Sequence, residues 1–284
     1  MGGLFGTQLG ANAYTIILMA IVLSKSVLMY LQHEEKSIVF ALKMVAALII
    51  AAHAELKVFF LIMIVIFTMA YMLSGRSLRK LGFVAAGIVA IVVGTTMLGQ
   101  IFGSGSNEWF NIENLLDLAL NDRGYTSRGD LNRLAAVPQI NNWFFSNWSE
   151  KLFGMGLGNC DTSGVALFSS PFSARYSWMH HTWFSIAMLY LETGYLGLIH
   201  YLGFFVLCFI MSIRKNQQET GNMLYCGMST IMGVVCCILT AYNASLRMES
   251  GYMVYFILAL PFIECRNSNY GRSNDSDDAK EKIC

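Results

Sequence analysis

Charge is the first thing this chain has little of. Only 13% of its 284 residues are Asp, Glu, Lys or Arg, where soluble domains carry about 25%. That shortage excludes an ordinary water-facing domain. The formal net charge of +1 points to no particular partner, and no nucleic-acid partner is expected. Cysteine patterning is also missing. None of the seven cysteines stands in a Cys-x-x-Cys spacing, which argues against a zinc site and against a disulfide framework. Cys208, Cys226, Cys236 and Cys237 fall in or beside apolar runs and read as small core residues. No basic stretch precedes the first apolar run, so no cleavable signal peptide is expected. Gly6 stands where a myristoylation signal needs Ser or Thr.

What the chain does have is apolar runs long enough to cross a bilayer, which takes about 20 residues. Seven spans are predicted, near 11–31, 38–52, 58–73, 81–102, 183–213, 222–241 and 251–264. The expected fold is therefore an all-α polytopic membrane protein with about seven transmembrane helices and one large extracytoplasmic loop. It divides into a four-helix segment (1–102), a polar loop (103–182), a three-helix segment (183–265) and a hydrophilic tail (266–284) that reads as disordered. Arg76, Arg79 and Lys80 in one short connection, and Arg214 and Lys215 in another, place both on the cytoplasmic side. The 103–182 loop then lies outside and the tail inside. The same alternation puts residue 1 outside, which suggests that further helices precede this stretch in a longer protein.

Within the loop, Glu113–Leu120 and Gly129–Ala136 show amphipathic helical spacing, with Ser127 as an N-cap candidate. The run Phe153-Gly-Met-Gly-Leu-Gly-Asn159 reads as a tight glycine turn over the membrane surface. It does not read as a nucleotide loop, because no strand precedes it. Trp143, Trp148, Tyr176, Trp178 and Trp183 suit an interfacial aromatic belt.

The most informative stretch is Arg175-Tyr-Ser-Trp-Met-His-His-Thr-Trp183, polar at its start and leading directly into the fifth span. His180 and His181 stand at the mouth of that span. Histidine exchanges protons near neutral pH, so either can serve as a base. Two adjacent histidines on a helix point about 100° apart and are poor partners for one metal ion. Arg123, Arg128, Arg133, Arg175 and Arg247 lie on the same predicted side and as a group can hold phosphate through forked hydrogen bonds. Glu192 sits inside the span, where a carboxylate must face protein or water. A hydrogen bond to a neighbouring helix is the expected solution. Gly194 and Gly197 read as close helix-packing positions.

Taken together, His181 followed by Glu192-Thr-Gly-Tyr-Leu-Gly197, the Thr126-Ser-Arg-Gly129 stretch, Leu152-Phe-Gly-Met-Gly-Leu-Gly158 and the early Gly3–Asn12 segment resemble the bacterial O-antigen ligase and polysaccharide polymerase superfamily. The likeness is to the C-terminal part of its members. Three places depart from it: Thr182 follows His181 where ligases commonly carry Asn, Ser or Gln, Gly194 stands thirteen residues after His181 where they carry Gly at eleven, and Ala54-Glu-Leu-Lys57 replaces a Ser-Arg pair.

The resemblance implies a helical architecture similar to GT-C-type membrane glycosyltransferases, in the bacterial inner membrane with its active face extracytoplasmic. It implies a metal-independent enzyme without a cofactor that polymerises oligosaccharide units carried on undecaprenyl diphosphate. An O-antigen ligase and a non-enzymatic transporter or flippase are the alternatives. The implied partners are the undecaprenyl-diphosphate-linked oligosaccharide, the lipid bilayer and a chain-length regulator. In that scheme His181, then His180, is the base. Arg128 and Arg175, then Arg123 and Arg247, hold the diphosphate.

Overall fold

The computed structural model describes residues 11–54, 56–75, 81–85, 87–89, 91–92, 130–161, 163, 165, 169–218 and 222–263. These are mostly helical, with no strand among the described residues. In chain order the helices are α1 (Ala11–Leu31), α2 (Ser37–His53), α3 (Lys57–Leu73), α4 (Ala136–Trp143), α5 (Trp148–Phe153), α6 (Pro171–Tyr176), α7 (Ser185–Gln217), α8 (Met223–Tyr242) and α9 (Gly251–Ile263). Residues 81–85 and 87–89 are helical too.

Three helices are long and apolar enough to cross a membrane: α1, α7 and α8. With the remaining apolar helices they make the chain a helical membrane protein that fits a lipid bilayer. α2 and α3, at 17 residues each, rise ~26 Å and α9 rises ~20 Å at 1.5 Å per residue, short of a hydrocarbon core of about 30 Å. The seven expected spans thus reduce to three of spanning length and three shorter helices, and most of the expected fourth span lies outside the described residues. The tail from residue 264, Ser127 and the expected helix at Glu113–Leu120 also lie outside them.

The helices form because apolar residues repeat at three- and four-residue intervals. Ile17, Ala20, Leu23 and Val27 of α1 are fully buried, and so are Phe59, Ile62, Met63 and Ile66 of α3 and Ile231, Met232, Val235 and Leu239 of α8. These faces share one core. The opposite stripe of α2, Ile38, Leu42, Val45 and Ile49, is exposed, as a lipid-facing surface would be. Buried hydroxyls close locally: Ser24 donates to the Ala20 carbonyl (2.6 Å), and Ser212 donates to Ser229 (2.8 Å).

α1 ends in a Schellman turn. His33 takes the left-handed conformation (φ 64°) while the His33 and Glu34 N–H groups donate to the Tyr30 and Met29 carbonyls, satisfying two end carbonyls. Below it Glu35 accepts from Ser26 (2.6 Å) and pairs with Lys43. Tyr30, Phe40, Phe67 and Phe83 gather in one aromatic layer, with Tyr30 4.6 Å from Phe40 and 4.7 Å from Phe83. Phe67 lies 5.7 Å from Phe83. The end of α1, the start of α2, the later part of α3 and the segment after it therefore share one level, so successive elements alternate in direction. At the same level Lys215 of α7 donates to the Pro261 carbonyl of α9 (3.0 Å).

The 130–183 region packs as a second core against the first turns of α7. Leu131, Ile140, Phe145, Cys160, Met179 and Phe184 are buried there with Met188, Tyr190 and Leu191. The expected helix over Gly129–Ala136 is not formed in its described part. Residues 130–132 have no regular structure, 133–135 make a turn, and the helix starts at Ala136. Pro138 explains the shift: it has no N–H to donate and belongs in a first turn. Leu131 N–H is instead tied to the Met179 carbonyl (3.2 Å).

α7 carries the decisive irregularity. At 33 residues it rises ~50 Å, whereas its antiparallel neighbour α8, with 20 residues, rises ~30 Å. Yet Ser185 N–H donates to the Asn243 carbonyl (3.1 Å), so the start of α7 meets the end of α8. The excess is taken up at Gly194, whose φ of 61° and ψ of −159° break the helix into a short first leg and a long second one. Only glycine occupies that conformation readily. A Cβ on Gly194 would also come within 2.5 Å of the Leu152 carbonyl. Gly194 thus allows the close helix packing expected of it, against α5, and breaks its own helix as well. Gly194 is a break seated on the last turn of α5, and the atoms nearest a Cβ on Gly197 would be those of Thr193 in its own helix. Gly194→Ala is expected to destabilise the protein by about 1–3 kcal/mol from backbone strain alone. In detergent its unfolding midpoint should fall by roughly 5 °C; an unchanged midpoint would show that the break does not depend on glycine.

Candidate functional site

The histidine pair sits in a bend built from three short pieces. Ser170 caps α6 by accepting from the Phe172 and Ser173 N–H groups (3.1 and 3.4 Å), and its hydroxyl donates to the Asn159 carbonyl. Two single 3₁₀ turns follow, Ser177–Met179 and His181–Trp183. His180 joins them in the left-handed conformation, φ 54° and ψ 31°. A non-glycine residue there is uncommon. The pair is therefore not on an α-helix, and the bend sends the two rings to different surroundings.

His181 is buried, at 1% exposure. Its Nε2 lies 2.8 Å from the Cys160 carbonyl oxygen. A carbonyl only accepts, so Nε2 holds the proton and Nδ1 is the bare nitrogen of the neutral ring. Nδ1 is enclosed and has no partner in good hydrogen-bond geometry, although the Tyr176 backbone lies near enough to the ring to act on it. Burial pushes the His181 pKa below its ordinary 6.5, outweighing the opposite pull of the Cys160 carbonyl and of Asp161. Arg247 adds to the lowering, which places its charge within electrostatic reach.

His180 is different. Its side chain is 31% exposed, and its Nδ1 faces the carboxylate of Asp130 at 3.8 Å. That distance is an ion-pair separation, longer than a hydrogen bond. Asp130 itself is 2% exposed. The His180 ring stacks on Trp183, centroids 3.9 Å apart, which fixes its orientation.

Glu192 is not bonded to a neighbouring helix, as its sequence position suggests. Its Oε1 accepts from the Gly158 N–H (3.0 Å) and the Cys160 N–H (3.4 Å). The glycine run is docked beside it. Met155 N–H donates to the Leu191 carbonyl (2.8 Å), and Gly156 N–H donates to the Glu192 carbonyl (2.9 Å). A Cβ on Gly154 would stand 2.5 Å from the Glu192 carbonyl carbon, so only glycine allows this approach. The Cys160 thiol is pushed up to about 12, chiefly by burial and then by Glu192 and Asp161. It is a core residue and not a nucleophile.

The arginines divide. Arg247 Nη2 reaches Asp161 Oδ2 at 3.5 Å. Arg247 Nη1 is enclosed without a hydrogen bond. Arg175 is exposed at the end of α6, over the Tyr176 ring at 5.5 Å. Arg123 and Arg128 lie outside the described residues. Arg133, one of the loop arginines but not among those singled out for the diphosphate, lies over the Tyr242 ring at 4.1 Å and near Phe184 at 5.3 Å. It is therefore held where α7 begins and α8 ends. Among the described residues no three His, Cys, Asp or Glu side chains gather as metal ligands.

No protein-family model, curated protein or solved structure matches the chain. What this arrangement can do must be read from its chemistry. It presents an exposed imidazole backed by a buried carboxylate, guanidinium groups at the same end of the bundle, and a neutral buried histidine fastened to a loop.

Asp130 and Asp161, which complete the pairs with His180 and Arg247, were also missed as site members by sequence reasoning. Their only signal was acidic residues in a loop that also carries arginines. His181 favours its neutral form in the fold. Its contribution to stability is therefore fully present above its ordinary pKa of 6.5 and is lost as pH falls through that value toward the lowered folded one. The unfolding midpoint should accordingly drop between pH 7 and pH 5, and His181→Gln should flatten that slope. An unaltered slope in the variant would assign the acid sensitivity to other groups.

Proposed function

We propose that the chain is a membrane glycosyltransferase acting at the end of the bundle where His180, Arg247 and Arg133 lie. It polymerises oligosaccharide units carried on undecaprenyl diphosphate into surface polysaccharide. The membrane is the bacterial inner membrane, with this end extracytoplasmic. The observation that carries the reading is the His180–Asp130 pair. An accessible imidazole whose other nitrogen faces a buried carboxylate is the arrangement of a general base. His180 is favoured over His181 for that role because its ring reaches solvent.

In the proposed step a hydroxyl of the acceptor sugar attacks the anomeric carbon of the donor. Its proton passes to His180 Nε2 as the new carbon–oxygen bond forms. The bond from the anomeric carbon to the diphosphate breaks, and the lipid diphosphate leaves with the electron pair. Asp130 steadies the imidazolium that results. Arg247 is placed to compensate negative charge growing on the diphosphate, with Arg175, Arg128 and Arg123 as further candidates. His181, neutral and enclosed, shapes the bend that presents its neighbour.

One observation weighs against the transport alternative. A carrier of that kind uses broken helices whose free ends line a cavity. In α7 the carbonyls beside the break are taken by Met155 and Gly156.

The test uses cells whose surface polysaccharide depends on this chain. His180→Ala should reduce long-chain polymer by roughly 10²–10⁴-fold, the usual worth of a positioned base, with normal protein level in the membrane. Arg247→Ala should lower it as well. Polymer retained on the carrier lipid but missing from its final acceptor would indicate a ligase. Polysaccharide of unchanged amount and length in both variants would overturn the reading.

A further inference from the structure

We infer that Glu192 is a positioning residue. Its carboxylate clamps the glycine loop into the break of α7, and the loop in turn fixes the histidine bend. The inference rests on the glycosyltransferase reading for its functional meaning, though the clamp itself is a matter of geometry.

The chain of contacts is continuous. Glu192 Oε1 gathers the Gly158 and Cys160 N–H groups. The Glu192 main-chain carbonyl holds Gly156 N–H at 2.9 Å. One residue thus grips the loop at three amides, through its side chain and its backbone. The Cys160 carbonyl, immediately after the gripped amide, is the partner of His181 Nε2. His181 is covalently next to His180, whose left-handed conformation depends on its neighbour being anchored. Asn159, inside the same loop, receives the Ser170 hydroxyl that caps α6. Both the helix before the bend and the first residue after it are therefore tied to the loop that Glu192 holds.

A carboxylate is well suited to this task. One of its oxygens accepts two amides at once, and a charged acceptor makes the stronger bond. The glycines meet the steric side of the requirement. Gly154 and Gly194 face each other across the junction, and each would clash with the other's backbone neighbours if it carried a side chain. Glu192 and the glycines together form a socket that fixes where residues 154–160 lie relative to α7.

The experiment reads the clamp first and the chemistry second. The full chain in membranes is treated with a membrane-impermeant maleimide, and modification of Cys160 is followed by mass spectrometry of its peptide. Cys160 should be protected in the unaltered protein. Its modification should speed up by about tenfold or more in Glu192→Ala, as a docked segment opens. Glu192→Gln keeps an accepting oxygen and should restore protection. Polymer formation should fall in Glu192→Ala and recover in Glu192→Gln, a rescue that mere loss of folding would not show.

Rapid modification in the unaltered protein, or continued protection in Glu192→Ala, would overturn the clamp. Exposure of Cys160 with undiminished polymer formation would overturn the positioning role. Should Glu192→Ala fail to accumulate, amide hydrogen exchange on the unaltered protein decides the matter. Slow exchange at Met155, Gly156, Gly158 and Cys160 supports the clamp, and fast exchange there overturns it. Intact polymer formation in His180→Ala would sink the glycosyltransferase reading while leaving the labelling result standing.

Discussion

Backbone polar groups near a membrane must find partners inside the protein, since an unsatisfied one in hydrocarbon costs several kcal/mol. The break in α7 puts this chain under that constraint. The last turn of the first leg ends at Gly194 with carbonyls that the second leg does not continue from. Met155 and Gly156 supply the missing N–H groups. Once the loop is there, Cys160 has one place to be, and so has the His181 ring bonded to it. The organisation of the candidate site thus follows from a helix-end accounting problem and not from contacts among the site residues themselves.

The left-handed turn at His180 then separates two side chains that sequence alone makes look equivalent. One imidazole is sealed in, neutral, with a proton at Nε2. The other lies half open, flanked by an indole and a carboxylate. Adjacent residues on a regular helix would share an environment more closely. The conformational cost of a non-glycine residue at positive φ, about 1 kcal/mol or more, is met by the anchoring on both sides. Such strain concentrates where function does.

The bundle was legible because long apolar runs carry a strong, local signal. The boundaries of α1, α2, α3, α7 and α8 fall within a few residues of those expected from hydropathy. The mouth at residues 180–183 was legible for the same reason, since a polar stretch meets a span there. What escaped was non-local. Glu192 bonds to amides more than thirty residues earlier in the chain, and amides carry no residue-type signature. Gly194 looks in sequence like any small residue on a packing face. That it also breaks its helix resides in its backbone dihedrals, which composition does not encode. The absent helix at 130–135 shows a further limit. Apolar spacing was present, but Pro138 and the tie from Leu131 to Met179 set the helix start instead.

The ring layer made by Tyr30, Phe40, Phe67 and Phe83 has a consequence for how the chain tolerates change in length. Each ring comes from a different consecutive element, so the layer acts as a common datum against which all are indexed. Sliding one helix along its axis by a single turn, ~5.4 Å, would withdraw its ring by about the full centroid spacing. A residue inserted within one of these helices would turn the part beyond it by about 100° and take the buried face out of register with the ring, whereas one added in a connecting turn need not. Homologous chains of differing length should vary their connections freely while holding the ring positions at constant height in the bundle.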